Sequence, residues 1–124
     1  MNIVQEDVLK DLLSERSEEA LWAAVIAFRG YEFRTYSGLP FSYRLKEGKD
    51  GGYTKELFID RRENSKSLAW SSVQLAFRSL PEEVRVVERP KALGDIRGIT
   101  YIYGMFYRFG LIEVPEQVKE KMVY

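Results

Sequence analysis

Three runs of alternating apolar and polar residues between positions 31 and 59 constrain the fold of this chain more than any other feature. The runs are YEFRT from Tyr31, FSYRLK from Phe41 and YTKELFI from Tyr53. Alternation with a period of two is typical of strands with one buried face. The segment EGKDGG between the last two runs supplies the glycines that tight turns need. The sequence therefore predicts a hairpin with a third strand before it.

Helical spacing governs the part of the chain before these runs. Apolar residues recur from Ile3 to Leu13 at the spacing of an amphipathic helix. Either Ser14 or Ser17 suits the N-cap of a following helix, whose segment ALWAAVIAF ends at Phe28 and is apolar on all sides. We therefore expect two short helices, or one helix with a break, and a buried second half.

Three more helices are predicted after the strands, and they begin at Ser65 or Ser67, at Pro90 and at Pro115. The first of these is expected to end near Ser79, before a proline. The second is expected in two pieces broken near Gly98, and its aromatic part, residues 101–109, should be the most buried helix of the protein.

Together these elements predict an α+β fold in a single globular domain, residues 1–124. A three-stranded antiparallel sheet with one apolar face needs helices to cover that face, and the N-terminal and C-terminal helices supply the cover. The short segment RVVE, residues 85–88, would make the sheet four-stranded. A chain of 124 residues, 45% of them hydrophobic, is long enough for one sizeable core.

The chain contains neither cysteine nor histidine, and this excludes several kinds of chemistry. Disulfides, thiol nucleophiles, imidazole bases and zinc sites built on these ligands are all impossible within the chain alone. The absence of cysteine and of a signal peptide favours a cytoplasmic protein, and no apolar window is long enough to span a membrane. No nucleotide-binding glycine motif occurs, so no cofactor is predicted.

Carboxylates offer one remaining route to catalysis. Glu56 and Asp60 are four residues apart on a predicted strand, so they share a face, and Lys66 follows in the sequence. Such an arrangement would suit magnesium or manganese in a carboxylate-metal hydrolase. The spacing is unspecific, and the solvent face of an edge strand explains it better. We therefore assign no catalytic residue and no metal ligand.

Basic residues at two predicted helix starts suggest a different function. Residues 1–28 carry six acids and two bases, whereas residues 29–111 carry fifteen bases and ten acids. Helix N-termini add backbone donors that suit phosphates, and Tyr101, Tyr103 and Tyr107 could stack on bases or simply pack. The main hypothesis is a small non-catalytic protein that binds nucleic acid through a basic strand-to-helix joint and a later segment: Arg61, Arg62, Lys66, Arg89, Lys91 and Arg97.

A protein-interaction or structural module, in particular a homodimer, is the alternative. The aromatic content of residues 99–112 exceeds what one small sheet obviously needs, which would favour self-association. Four glycines lie in or beside this segment, at positions 94, 98, 104 and 110. We interpret them as positions of close helix packing, either in the core or across a dimer.

Overall fold

The computed structural model describes residues 1–60 and 66–123. Its helices α1 to α5 span Ile3–Glu15, Glu18–Ala27, Trp70–Arg78, Ile99–Phe109 and Glu116–Met122, and a short 3-10 helix spans Pro90–Leu93. Its strands β1 to β4 span Phe33–Arg34, Pro40–Glu47, Tyr53–Asp60 and Lys66–Ala69. The predicted α+β fold, with an antiparallel sheet and helices from both ends of the chain, is confirmed.

The four strands form an antiparallel sheet in the order β1-β2-β3-β4. Tyr43 pairs with Ile59, and Leu57 pairs with Leu68, so these four residues lie on one face of the sheet. All four are buried. The hairpin predicted between the second and third alternating runs is confirmed, since β2 and β3 pair across the segment that contains the glycines.

The fourth strand is not the segment 85–88, and the helix predicted from Ser65 or Ser67 begins later. Residues 66–69 form strand β4, and α3 starts only at Trp70, with no side-chain cap on its N-terminus. Leu68 is buried beside Leu57 because β4 pairs with β3. This contact between distant residues overrides the local preference for a helix. The segment 85–88 makes only an isolated bridge, from Val86 to Glu113.

The N-terminal helices agree with the predicted pattern. Asn2 and Gln5 form a capping box at the start of α1: the Asn2 N–H donates to Gln5 Oε1, and the Gln5 N–H donates to Asn2 Oδ1. Ser17, one of the two predicted caps, accepts a hydrogen bond from the Ala20 N–H at 3.1 Å. Helix α2 buries Leu21 and its neighbours, as the uniformly apolar sequence predicted.

Helix α4 is the centre of the core. Five of its side chains are fully or almost fully buried: Ile102, Tyr103, Met105, Phe106 and Phe109. Its backbone approaches β1 closely at Gly104, where an added Cβ would lie 2.6 Å from the Arg34 carbonyl oxygen. The aromatic surplus that suggested self-association is therefore absorbed within the core, mainly by ring contacts with Phe28 and Phe77.

Two buried tyrosines hold the layers together through their hydroxyl groups. The Tyr43 hydroxyl donates to the Val25 carbonyl oxygen at 2.6 Å, which joins the sheet to α2. The Tyr103 hydroxyl donates to the Val87 carbonyl oxygen, which joins α4 to the segment after α3. Burial raises the pKa of both phenols above the usual 10.0.

No helix within residues 1–60 and 66–123 has the length and apolar character needed to cross a bilayer.

Replacing Gly104 with alanine should destabilise the protein. The new methyl would meet the Arg34 carbonyl at 2.6 Å and the Phe41 ring at 3.0 Å, so helix and strand would have to separate. We expect the free energy of unfolding to fall by about 1–3 kcal/mol, despite alanine's better helix propensity. Urea unfolding measures this. Thr100→Ala, on the exposed side of the same helix, is the control and should change little; an equally stable Gly104→Ala would contradict the close packing.

Stability should fall at alkaline pH because of Tyr43 and Tyr103. Both pKa values are raised in the folded state, so the unfolded chain ionises first as the pH passes about 10. Their contribution is present below pH 10 and is lost above it, by up to about 1.4 kcal/mol per pH unit for each tyrosine.

Urea unfolding between neutral pH and pH 11 checks this expectation. The Tyr43→Phe/Tyr103→Phe variant should start less stable, because it loses two hydrogen bonds, and should show a shallower decline above pH 10. Parallel declines in the variant and the wild type would show that other groups cause the alkaline loss.

Candidate functional site

The six basic residues predicted to bind nucleic acid lie in different parts of the chain, and the structure describes four of them. Arg61 and Arg62 lie outside the described residues. Lys66 is the first residue of β4, where its backbone pairs with Ile59, so the supposed strand-to-helix joint is in fact the connection between β3 and β4. Arg89 precedes the 3-10 helix, Lys91 lies within it, and Arg97 comes just before α4.

A glycine contact places Arg97 beside strand β4. Gly98 has φ +79°, and a Cβ there would lie 2.4 Å from Leu68 Cδ1, so only glycine fits without displacement. Arg97 is therefore one residue from a contact with the strand that Lys66 begins. Strand β4 is at the edge of the sheet, so Arg97 lies near this edge.

Arg89 and Lys91 lie at the opposite end of α3. The Ser79 hydroxyl, just after this helix, lies 2.7 Å from the Ala76 carbonyl oxygen and 3.1 Å from the Leu93 carbonyl oxygen, so the end of the 3-10 helix lies beside the end of α3. Because β4 leads directly into α3, the two basic groups are separated by the length of a nine-residue helix, which is about 13 Å. Arg97 and the pair formed by Arg89 and Lys91 therefore lie at different ends of α3.

Arg89, Lys91 and Arg97 differ from most arginines of this protein because their side chains have no partner within the described part of the chain. Arg89, Lys91 and Arg97 are exposed, and neither an ion pair nor a hydrogen bond to a described residue engages their side chains. Other arginines are engaged, either with a carboxylate, a carbonyl or an aromatic ring: Arg16, Arg29, Arg44, Arg78 and Arg108. Unengaged, exposed cations are the ones free to bind an anion.

Two of the tyrosines proposed for base stacking are placed differently. Tyr103 is fully buried and bonded to Val87, so stacking on a nucleic-acid base is excluded for it. Tyr107 is half-buried and lines a groove of about 410 Å³ together with Val84, Val86 and Val114. Tyr103 is therefore a core residue, because its position on α4 directs the side chain into the protein interior.

Glu56 and Asp60 share the outer face of β3, as predicted from their spacing. Asp60 is engaged by Arg44, whose Nε lies 3.2 Å from both carboxylate oxygens. Among the described residues, no group of three or more acidic side chains is arranged to hold a metal ion. The geometry on this face is that of a cross-strand ion pair between β2 and β3.

A wider depression of about 600 Å³ lies between the α1–α2 connection and the end of α3. Its charged groups bind one another. Glu18 accepts from Arg78 at 3.1 Å and from Gln74 at 2.6 Å, and Arg16 donates to the Pro81 carbonyl oxygen at 2.8 Å. These bonds link the acidic N-terminal part of the chain to its basic middle, which explains part of the charge asymmetry without a ligand.

The exposure of Val84 and Val86 was missed in the sequence. The two side chains are 43% and 48% exposed. The alternation of Val84, Arg85 and Val86 is typical of a strand with its valines on the buried face, so no local pattern indicates their exposure.

Comparisons of the chain with protein-family models, with curated proteins and with solved structures found no significant match. What the chain does has to be inferred from its own residues.

Magnesium or manganese is not expected to raise the melting temperature. Asp60 is already bound by Arg44, and Glu56 alone is a poor ligand set for either ion. Thermal unfolding with and without millimolar metal chloride tests this. Arg44→Ala, which releases Asp60, is the comparison variant. A saturable upward shift in the wild type would contradict our interpretation and would favour the carboxylate-metal hydrolase.

Proposed function

We propose that this is a non-catalytic protein that binds nucleic acid along a basic strip. The strip is defined as Arg61, Arg62, Lys66, Arg89, Lys91 and Arg97. The observation that carries the proposal is the contact between Gly98 and Leu68, which brings Arg97 to the strand that follows the β3–β4 connection. Two basic residues that are distant in sequence, Lys66 and Arg97, are thereby on or next to the same edge strand.

The length of the strip favours a polyanion over a single small anion. Each strand of a duplex carries one phosphate per 3.4 Å or so of helix axis, so a strip of about 13 Å is long enough to contact more than one phosphate. Arg89 and Lys91 at one end and Arg97 at the other would then contact different phosphates of one strand. Their lack of described partners supports this role, because no internal ion pair has to be broken on binding.

Contacts of this kind recognise the backbone and not the base sequence. Arginine and lysine side chains bind phosphate oxygens, whereas base recognition needs contacts with base edges or stacking surfaces. Of the tyrosines near the strip, Tyr103 is buried, and the ring of Tyr101 packs edge-on against Phe41 with the ring centroids 5.1 Å apart. We therefore expect binding with little sequence preference and strong dependence on salt. A cytoplasmic location belongs to the same proposal and rests on the absence of cysteine.

A protein-interaction module is the second candidate function, and a separate observation favours it. Val84 and Val86 are exposed side by side on a segment that packs on the core through only one of its edges. An apolar surface of this kind is typical of a contact with another polypeptide.

Removing two cations from the described part of the strip should weaken nucleic-acid binding. We expect Lys91→Ala/Arg97→Ala to raise the Kd, and to reduce the slope of log K against log salt by about 1.4 for single-stranded and 1.8 for duplex probes. Fluorescence anisotropy with labelled RNA and DNA oligonucleotides measures both quantities.

Lys46→Ala/Lys49→Ala is the matched control, because it removes the same charge from the hairpin at the far end of β2 and β3. It should leave the affinity almost unchanged. If both double variants weaken binding equally, net charge alone is responsible for the affinity, and the basic strip is not the binding site. Absence of binding by the wild type at low salt would overturn the proposed function itself.

A further inference from the structure

The segment from Val84 to Glu88 is paired along one edge only. The Val87 N–H donates to the Glu113 carbonyl oxygen at 2.8 Å, and the Glu113 N–H donates to the Arg85 carbonyl oxygen at 2.9 Å. The Val87 carbonyl oxygen accepts from the buried Tyr103 hydroxyl. The backbone groups of Arg85 and Val87 used in these bonds therefore face the body of the protein.

The opposite edge of this segment presents free backbone groups. In a strand, the N–H and C=O groups of successive residues point to alternate sides, so those of Val84, Val86 and Glu88 face away from the core. No described residue forms a backbone hydrogen bond with Val86 or Glu88 along this edge. With Val84 and Val86 also exposed, the segment has the two properties that favour the addition of another strand.

The sequence around this edge is complementary to itself. PEEVRVVERP, residues 81–90, has prolines at both ends and acids before the valines, with an arginine after them. Antiparallel pairing centred on Val86 places Val86 opposite Val86 and Glu83 opposite Arg89, twice, across a twofold axis. Opposite charges facing each other across two strands are stabilising, and a twofold interface uses the same patch on both copies.

The backbone and the charges select this register over its neighbours. Only even-numbered residues offer outward groups, so shifts that pair even with odd residues are not allowed. The next allowed shift in one direction puts Arg85 opposite Arg85, and in the other direction it puts Arg85 opposite Arg89. Both juxtapose like charges, which destabilises a strand pair. The Val86-centred register avoids this and uses the outward groups of residues 84, 86 and 88.

We infer that a second copy of this chain pairs with the segment Val84–Glu88 to form a twofold homodimer. Strand pairing joins the two segments, and each copy's Val84 and Val86 extend the apolar wall of the partner's groove of about 410 Å³ beside Tyr107. The inference does not require nucleic-acid binding, since the strand edge and the two valines lie outside the basic strip; only the register uses a residue of the strip, Arg89. It also locates the self-association away from α4, whose aromatic residues are buried.

Analytical ultracentrifugation of the full chain over a range of concentrations tests the dimer. We expect reversible dimerisation of the wild type, and loss of it in Val86→Lys, which puts two positive charges directly opposite each other. Val86 is half exposed, so this variant should keep the wild-type circular dichroism spectrum. A wild type that stays monomeric at the highest concentration, or a Val86→Lys variant that dimerises as well as the wild type, would overturn the inference.

A charge exchange tests the register. Glu83→Arg alone and Arg89→Glu alone should each raise the dimer Kd about tenfold, because attraction becomes repulsion at two symmetric positions. The double variant should return it to near the wild-type value. Glu82→Arg, whose position faces Pro90 in this register, is the control and should change little. If the wild type dimerises but the double variant does not recover the wild-type Kd, this register is wrong. If the chain stays monomeric and an added foreign peptide binds to the segment Val84–Glu88, the partner of this edge is not a second copy of the chain.

Discussion

The close approach of α4 to β1 at Gly104 is the contact on which the rest of the structure depends. With no side chain at this position, the helix backbone reaches the Arg34 carbonyl and the Phe41 ring directly. Helix α4 therefore sits deep enough for its neighbouring residues on both sides to be buried, including Tyr103 and Met105. A protein interior tolerates few voids, so the position of this helix determines where its two ends lie and which groups the Tyr103 hydroxyl can contact.

Both proposed surfaces follow from the position of α4. At its N-terminus, Gly98 lies against Leu68, and the preceding Arg97 is carried to the edge of the sheet. In its middle, Tyr103 bonds to the Val87 carbonyl and holds one edge of the segment 84–88 inward, so the other edge faces out. The proposed basic strip and the free strand edge thus both depend on the position of the same buried helix. Gly98 and the Tyr103 hydroxyl make the contacts that connect this helix to the two surfaces.

Charge has two separate uses in this chain. Some charged residues join elements of the fold, as Glu18 does with Arg78 and Asp60 does with Arg44. These pairs are at least partly exposed, so each contributes little to stability but helps to fix the relative position of the elements. Among the described residues, four cations without such partners lie between residues 85 and 97: Arg85, Arg89, Lys91 and Arg97. A net charge of zero therefore conceals a division between structural pairs and unengaged cations.

The sequence by itself determined the hairpin, the buried helices and the absence of imidazole and thiol chemistry, because periodicity, glycine turns and residue types are local properties. It did not determine that residues 66–69 form a strand, since SKSLAWSSV fits a capped helix equally well and only pairing with β3 decides between the two. The tertiary structure alone decided that Arg97 lies near strand β4 and that Val84 and Val86 are exposed. Both depend on contacts between distant segments, such as Gly98 with Leu68, whose geometry no local pattern contains.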